Sequence, residues 1–452
     1  MKTRSCSLCL LAVCAGILSV RALTPSDYAR TLTLTPSASA ISPGTTLTGF
    51  PALIRLSTDI SGFSYGDFGL AAGADLAITD EDGTELDYEI EKWDASGESL
   101  VWVRIPAFTA DTVLHLYYGR DVAATVDPAR VWSGYAGVWH CADASGNLTD
   151  STGHGLAAVP SGFATEQMVA VAGGAVGVCR YNQNNTTYYN GAAYRGGHVV
   201  APSEHLALGQ SFTVSGWFNG EQIVGYPRLY SSKTAYNGAT GWEAAFENDC
   251  RQVGIRTSGE SLVKFAVPNC VNDWVCIAFT TDGETCTCYT NGAVSSVQTL
   301  RHPVTHDESA GFGLGMNANL SEAGFFGCFD EMRLRAGVAS AEEMRAAYRT
   351  ESDPGFFDYS SAHAIREAAD VSGFAKCITF TVTASPDLRT VLRSSTRSHA
   401  TSRAGMSPST PPRSTNAPKS ITRVTVPETI FPPSDQFRPG RHQICLPVPP
   451  AT

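Results

Sequence analysis

The stretch from Gly327 to Tyr348, GCFDEMRLRAGVASAEEMRAAY, contains a strand pattern followed directly by a helix pattern. Its first half alternates with a period of two, which predicts a strand in a sheet that has a core on one side. The two predicted faces are Phe329, Glu331, Arg333 and Arg335 on one side, and Asp330, Met332 and Leu334 on the other. The stretch is therefore expected to begin as a strand.

The second half of this stretch has the period of an amphipathic helix. Ser340 and Glu343 have the spacing of a capping box, in which the hydroxyl and the carboxylate each accept a hydrogen bond from an exposed amide. Met344, Ala347 and Tyr348 then fall on one apolar helical face. The sequence predicts a closing strand, a short turn and one amphipathic helix.

A Gly-x-x-Asp-Glu-x-Arg strand before a Ser-x-x-Glu helix resembles the end of a laminin-G-like module, the jelly roll of the concanavalin A-like lectins and glucanases. Ser211–Asn219 (SFTVSGWFN), the stretch Trp274–Gly292 and the opening segment Ala136–Gly155 extend the resemblance. It implies an antiparallel jelly roll over residues 136–359. Because one fold hosts many functions, the resemblance implies only a class of function, which is binding.

The segment before the jelly roll also alternates. Leu47–Ser57, Leu100–Ile105 and Val113–Tyr118 predict strands of an antiparallel β-sandwich over residues 23–135. The motifs Asp87–Trp93 (DYEIEKW) and Val101–Arg104 (VWVR) resemble DUF2341, a bacterial domain of unknown function found ahead of laminin-G-like modules in exported proteins. The predicted fold class is therefore all-β, with two antiparallel sandwiches.

The N-terminus has the pattern of a secretory signal over residues 1–22. Lys2 and Arg4 precede the apolar run Leu8–Val20, and Ala22 ends a small-x-small cleavage site. A lipoprotein signal ending at Cys14 is the alternative. No later apolar run is long enough to cross a membrane. The protein is expected to be secreted, periplasmic or at the cell surface, without a transmembrane segment after signal removal.

The C-terminal part begins like a repeat of the first domain. Ser372–Thr381 (SGFAKCITFT) is similar to Ser26–Thr35 (SDYARTLTLT), so residues 360–386 are interpreted as a linker and the start of a truncated repeat. Residues 387–452 are rich in Pro, Ser and Arg, with nine Lys or Arg against three Asp or Glu, and are predicted to be disordered. The acidic remainder argues against a nucleic-acid partner.

Eight of the thirteen cysteines lie in the predicted jelly roll, where export would permit disulfides. Eight cysteines allow about 105 pairings, and the sequence does not choose among them. Cys286 and Cys288 take inward strand positions and are interpreted as core residues or half of a disulfide. No second pair completes a zinc site with them.

A structural Ca²⁺ is predicted where an Asp/Gly loop approaches the closing strand. Related jelly rolls often hold Ca²⁺ between such elements, and the ion prefers several oxygen ligands. The predicted ligands are Asp143, Asn147, Asp150 and Asp330. The alternative is that these side chains only stabilise turns.

A carbohydrate site is predicted on a loop rich in Asn and Tyr. Aromatic rings stack on sugar faces while amides and Arg meet the hydroxyls. The predicted ligand-binding residues are Tyr181, Asn185, Tyr188, Tyr189, Tyr194 and Arg195, with Tyr226, Tyr230, Tyr236 and Trp242 on the same rim. The alternative is an insertion whose Tyr rings pack on the sandwich.

Catalysis is not expected. A glycosidase needs two paired carboxylates, but Glu89 and Glu91 lie in the first domain, and Glu243 and Glu247 have no acid between them. We interpret all four as solvent-facing strand residues. The sequence favours an exported noncatalytic protein that binds a glycan or surface polymer. The alternatives are a structural or adhesive envelope protein that binds other proteins, and then a glycoside hydrolase.

Overall fold

The computed structural model describes residues 23–365, apart from 145, 163–167, 183–195, 224, 234–237, 239, 248, 258–261, 307–308 and 319–323. It also describes the backbone of 374–382 and 440–447. The predicted signal and most of the predicted tail lie outside these residues. The chain divides into two compact units, 1–365 and 366–452, which are treated separately.

The described residues form strands, short 3₁₀ turns and a single α-helix. The strands up to the middle of the chain are β1 (Arg30–Pro36), β2 (Leu47–Leu56), β3 (Ala77–Thr79), β4 (Tyr88–Lys92), β5 (Ser99–Phe108), β6 (Leu114–Tyr118), β7 (Tyr135–Trp139), β8 (Ala158–Gly162), β9 (Met168–Ala172), β10 (Val178–Asn182), β11 (Gly196–Val200), β12 (Phe212–Gln222) and β13 (Arg228–Ser231). The later elements are β14 (Glu243–Glu247), β15 (Asp249–Arg256), β16 (Leu262–Ala266), β17 (Val275–Thr281), β18 (Thr285–Thr290), β19 (Ala293–Thr299), β20 (Phe312–Leu314), β21 (Phe326–Ala336), α1 (Ala341–Ser352), β22 (Phe357–Tyr359), β23 (His363–Ala364), β24 (Phe374–Val382) and β25 (Gly440–Pro447). The 3₁₀ helices are Pro25–Asp27, Tyr65–Asp67, Ala71–Gly73, Pro128–Trp132 and Glu204–Leu206.

The strands of the first unit build two sandwiches. The first sandwich has one sheet in the order β22-β1-β6-β3, with β23 also paired to β1, and a second sheet in the order β2-β5-β4. The jelly roll has one sheet in the order β19-β18-β17-β12-β21-β10-β9, with β7 also paired to β21, and another in the order β16-β15-β14-β13-β20-β11-β8. The strand ladders are antiparallel, so the predicted all-β class is confirmed.

The two sheets of the jelly roll enclose an apolar core made by alternate residues. On β12, Phe212, Val214 and Phe218 point into this core. Cys286 and Cys288 on β18 are fully buried in it, in agreement with their predicted inward positions. The cysteines between 141 and 328 that the structure describes are free thiols.

The closing strand β21 departs from the predicted alternation. Phe329, Met332 and Leu334 all lie in the jelly-roll core, although the pattern placed Phe329 on the opposite face. The pairing with β12 shifts between Ser215 and Trp217, so β21 contains one extra residue there. This β-bulge leaves Glu331 with a φ of 48°, and it turns Glu331 away from the core.

Helix α1 begins at the predicted cap but uses its carboxylate differently. The Ser340 hydroxyl accepts a hydrogen bond from the Glu343 amide at 3.1 Å. The Glu343 carboxylate pairs with Arg335 instead of returning to the cap. The helix also has two packed sides: Ala346 lies in the core of the first sandwich, and Tyr348 stacks on Trp217 of the jelly roll. The residues of the predicted apolar face are divided between these sides, because Ala347 packs against the core of the first sandwich and Tyr348 against Trp217.

After the helix, the chain returns to the first sandwich. Phe357–Tyr359 pairs with β1, and His363–Ala364 pairs with the same strand further along. Helix α1 and β22 both cover the free edge of β2. Leu53 donates its amide hydrogen to Thr350 Oγ1 of the helix at 2.8 Å, and Arg55 donates its amide hydrogen to the Tyr359 hydroxyl of β22 at 3.0 Å. Residues 357–359 thus lie in a sheet with the N-terminal strands, unlike their sequence assignment to the jelly roll.

The second unit contains one described strand pair. Phe374–Val382 pairs antiparallel with Gly440–Pro447. The first of these strands overlaps the predicted repeat of β1. The second falls inside residues 387–452, the tail predicted to be disordered, and the other residues of that tail lie outside the described part of the chain.

Asp75 connects three segments of the first sandwich. This fully buried carboxylate accepts hydrogen bonds from the amides of Gly69 and Leu70 at 3.0 and 3.1 Å, and from those of Gly119 and Arg120 at 2.7 and 3.1 Å. Without the carboxylate, four amides would lose their acceptor in a poorly hydrated position.

We expect Asp75→Ala to lower the free energy of unfolding by about 2–3 kcal/mol. Urea denaturation of the full chain measures the loss. Asp59→Ala is the control, since Asp59 is exposed and bonds only within its own turn. Equal stability of the two variants would contradict this role for Asp75.

Candidate functional site

Tyr181 is the member of the predicted carbohydrate site that the structure describes. It lies on β10, and its hydroxyl donates a hydrogen bond to Glu221 Oε1 at the end of β12, at 2.7 Å. Burial, followed by the Glu221 carboxylate, raises the pKa of Tyr181, so the phenol stays protonated. Asn185, Tyr188, Tyr189, Tyr194 and Arg195 lie outside the described residues, and their role stays a prediction.

The predicted rim aromatics separate into two groups. Tyr226 is 43% exposed, whereas Tyr230 and Trp242 are each 1% exposed and lie in the jelly-roll core. The prediction that Tyr230 and Trp242 line a rim is therefore wrong, because both rings point inward from their positions at the sheet. Tyr236 lies outside the described residues.

A loop adjoins Glu221 at the same end of the sandwich. The amide of Gly220 donates to the Cys270 carbonyl at 2.8 Å, and the amide of Asn272 donates to the Gly220 carbonyl at 2.8 Å. Asn269 and Asn272 are both exposed on this loop. We define the rim as Tyr181, Glu221, Asn269 and Asn272, together with Tyr226, which is exposed and follows Glu221 closely in the sequence. It combines exposed aromatic surface with a carboxylate and two amides, which are the groups that contact sugar rings and hydroxyls.

The predicted calcium ligands are engaged as turn acceptors. Asp143 accepts from the Thr149 amide at 3.0 Å and from its hydroxyl at 2.6 Å. Asp150 accepts from the amides of Val138 and Leu156 at 3.3 and 3.1 Å. These bonds match the turn-stabilising alternative, and calcium binding stays a prediction.

The other two predicted ligands differ in their surroundings. Asn147 is exposed, whereas Asp330 is fully buried and accepts from the amides of Val176 and Glu331 at 2.9 and 3.0 Å. Among the described His, Cys, Asp and Glu side chains, one group of three has ligand atoms that all lie within 4.8 Å of one another. This group contains none of the predicted calcium ligands.

That group lies between the two sandwiches and centres on His140. Nδ1 of His140 is 2.9 Å from Glu331 Oε1 and 3.6 Å from Glu91 Oε2. Nε2 of the same ring is 3.3 Å from Glu89 Oε2. Glu89 and Glu91 are thus turned towards the jelly roll, and their interpretation as solvent-facing residues is wrong, because the opposing sandwich covers this face of β4.

Arg333 extends the group towards helix α1. Its guanidinium donates to Glu331 Oε2 at 2.6 Å and lies 2.5 Å from Glu351 Oε1. Its Cζ lies 4.5 Å from the ring centroid of Trp102 and 4.9 Å from that of Trp132, within cation–π range. We name this region the junction, and define it as Glu89, Glu91, Trp102, Trp132, His140, Glu331, Arg333 and Glu351.

The junction shifts the pKa values of its carboxyl groups in opposite directions and raises that of its imidazole. Burial, with a smaller effect from Glu331, raises the pKa of Glu91 to about 7 although His140 opposes the shift. Burial lowers the pKa of His140, but the carboxylates of Glu331, Glu91 and Glu89 raise it well above its usual value overall. Burial opposes ionisation of Glu331, yet His140 and Arg333 hold its pKa below the usual range. His140 and Arg333 are therefore the cations of the junction.

The jelly-roll acids that were considered for catalysis are ion-paired. Glu243 is fully buried between Arg228, at 3.1 Å, and Arg256. Glu247 lies 2.7 Å from Lys264. These acids are also not solvent-facing, because both are buried.

The family models match both sandwiches. Residues 190–345 match the model described as the concanavalin A-like lectin/glucanases superfamily, Laminin_G_3, and residues 72–152 match the domain of unknown function DUF2341. The chain carries a DUF2341 domain followed by a laminin-G-like domain. The predicted identity and order of these domains are confirmed. No curated protein matches the sequence.

Several solved structures align with this chain at low identity. Domain 4 of AbnA, a GH43 extracellular arabinanase from Geobacillus stearothermophilus in complex with arabinotriose, has a TM-score of 0.36 and 17% identity, covering 47% of this chain and 96% of that chain. The binding domain of Paraclostridial Mosquitocidal Protein 1 has a TM-score of 0.36 and 13% identity, covering 48% and 52%. The botulinum neurotoxin serotype D binding domain has a TM-score of 0.33 and 13% identity, covering 48% and 51%. The chain spans about half of these two toxin binding domains.

The junction is where the DUF2341 and laminin-G-like motifs meet. Glu89 and Glu91 come from DYEIEKW, Trp102 comes from VWVR, and Glu331 and Arg333 come from the closing strand. Sequence reasoning missed His140, whose partners Glu89 and Glu331 are 51 and 191 residues away along the chain. No local spacing signals such a contact.

Proposed function

We propose that the protein is exported and binds a carbohydrate or surface polymer without catalysis, through the rim of its laminin-G-like domain. The observation that carries this proposal is the exposed ring of Tyr226, which lies close in sequence to Glu221. Glu221 accepts a hydrogen bond from Tyr181, and the residue before it accepts one from the Asn272 amide. The ion pairs of Glu243 and Glu247 support a noncatalytic role, since a glycosidase needs one protonated and one ionised carboxyl facing its substrate. Among the described residues, no helix is long and apolar enough to cross a membrane.

Binding of the full chain to a glycan array tests this proposal. We expect Tyr226→Gly and Asn272→Gly each to weaken binding about tenfold, the size of effect of one well-placed contact. Both positions have positive φ, 61° and 58°, so glycine relieves backbone strain there and the fold should persist.

The control is Tyr117→Ala, which removes a partly exposed ring from the DUF2341 domain. Undiminished binding by the Tyr226 and Asn272 variants would contradict the assignment to the rim. The full chain is required because β22 pairs with β1 and a jelly-roll fragment would lose this contact.

A protein ligand is the alternative function that one observation favours. Strand β19 lies at the edge of its sheet, and its Val294 and Val297 are exposed. Edge strands with exposed apolar residues can add a strand from another protein. If the folded protein binds no glycan on a broad array, this alternative is favoured.

A further inference from the structure

We propose that Glu91, His140 and Glu331 bind one divalent transition-metal cation that links the two sandwiches. Their ligand atoms lie within 4.8 Å of one another. His140 Nδ1 faces Glu331 Oε1 at 2.9 Å and Glu91 Oε2 at 3.6 Å, so small side-chain shifts would place all three around an ion. This inference involves none of the rim residues and is independent of the proposed function.

The surroundings of these ligands resemble the outer shell of a protein metal site. A ligating imidazole usually donates a hydrogen bond from its second ring nitrogen to a carboxylate. In this protein His140 Nε2 lies 3.3 Å from Glu89 Oε2. Glu89 is held in turn by Ser151, whose hydroxyl donates to Oε1 at 2.7 Å. Trp102 Nε1 donates to Glu91 Oε2 at 2.7 Å, so a ligand carboxylate is oriented too.

The bulge of β21 orients the third proposed ligand. Glu331 is held at φ 48° in the bulge of β21, a conformation that a non-glycine residue adopts at a cost of about 1–3 kcal/mol. That conformation turns its carboxylate towards His140 instead of towards the jelly-roll core. Such strained residues cluster at ligand sites, where the surrounding structure holds them in place.

Charge and ligand type indicate the kind of cation. The junction contains the carboxylates of Glu89, Glu91, Glu331 and Glu351, whereas His140 and Arg333 are its basic side chains. Because a ligating imidazole is deprotonated, a divalent cation would replace the His140 proton as the positive charge between Glu91 and Glu331. One imidazole with two carboxylates suits Zn²⁺, Mn²⁺, Fe²⁺ or Co²⁺ better than Ca²⁺, which prefers oxygen ligands alone.

The test measures how much cation the full chain retains. The protein is unfolded with chelator, refolded with Zn²⁺ or Co²⁺, and then separated from free cation by gel filtration. We expect about one cation per chain from elemental analysis. Glu91→Gln keeps the side-chain shape and should lower affinity at least tenfold, while Trp102→Phe, which removes the outer-shell donor, should lower it about 10–100-fold. The control is the double variant His154→Ala, His205→Ala, because these exposed rings stack at 3.9 Å and could collect surface cations.

The proposal is overturned if folded wild-type protein retains no cation, or if Glu91→Gln retains it equally. Loss of the cation only in the His154/His205 variant would also overturn it. X-ray absorption of the cobalt-loaded wild type keeps the test decisive if variants misfold. One imidazole and carboxylate oxygens are expected in its ligand shell, and a shell with sulfur or without imidazole would contradict the site.

Discussion

Arg333→Met is expected to lower the free energy of unfolding of the full chain by about 3–5 kcal/mol. Arg333 pairs with Glu331 at 2.6 Å and with Glu351 at 2.5 Å, and all three side chains are at most 5% exposed. Removing the guanidinium leaves the buried Glu351 carboxylate without its cation and leaves Glu331 with His140 alone, which costs more than the pair itself contributes. Met fills much of the same volume, so the loss would report charge and not a cavity. Thermal and guanidinium unfolding measure it.

Arg335→Met is the matched control, two residues along the same strand. Arg335 pairs with Glu343, but the two side chains are 23% and 22% exposed. Partly exposed ion pairs contribute about 0–1 kcal/mol, so this variant should unfold close to the wild type. If both variants lose the same stability, the buried position of Arg333 is not the cause. An unchanged Arg333→Met protein would contradict the description of the junction.

Trp102→Ala is expected to have an effect of similar size, about 3–5 kcal/mol. The ring is fully buried, and it lies in an apolar cluster with Leu53 and Leu100 of the first sandwich and Val138 of the jelly roll. Its removal creates a cavity between the sandwiches and removes the cation–π contact with Arg333. Differential scanning calorimetry should show a lower transition temperature.

Trp102→Phe separates the packing of the ring from its hydrogen bond. Phe keeps an aromatic face but cannot donate to Glu91, so we expect a smaller loss of about 1–3 kcal/mol, the cost of an unsatisfied buried acceptor. A Phe variant as unstable as the Ala variant would mean that the hydrogen bond, and not the packing, dominates.

Local sequence patterns predicted the individual elements well. Ser340 caps α1 as expected, since a cap depends on residues within one turn. Strands such as β2 and β12 agree with their predicted stretches within a few residues, because alternation reflects the burial of one sheet face. These features need no knowledge of distant partners.

The phase of β21 could not be predicted from its own residues. Its alternation is interrupted by a bulge that depends on the pairing with β12, and Glu at a positive φ gives no sequence signal. Alternation correctly placed Glu89 and Glu91 on one face of β4, but it does not say what covers that face. His140 and Glu331 cover it, and both are distant in sequence.

The candidate rim was predictable only in part. Tyr181 and Tyr226 were found from composition, but the same reasoning included Tyr230 and Trp242, which are core residues. Asn269 and Asn272 were missed because their place beside Gly220 depends on backbone hydrogen bonds between separate loops. Aromatic and amide content alone does not distinguish a surface from a core.

The return of the chain to β1 determines how the protein would respond to mechanical tension. Arg30 faces Ala364, and Thr31 faces His363, so the start of β1 lies beside the end of β23. A pull through the flanking chain segments would open these strands from one end, breaking the cross-strand hydrogen bonds one after another. The laminin-G-like domain lies between these two points in sequence and would bear no load until they had separated. The pairing of β1 with β23 would thus keep mechanical tension away from the laminin-G-like domain.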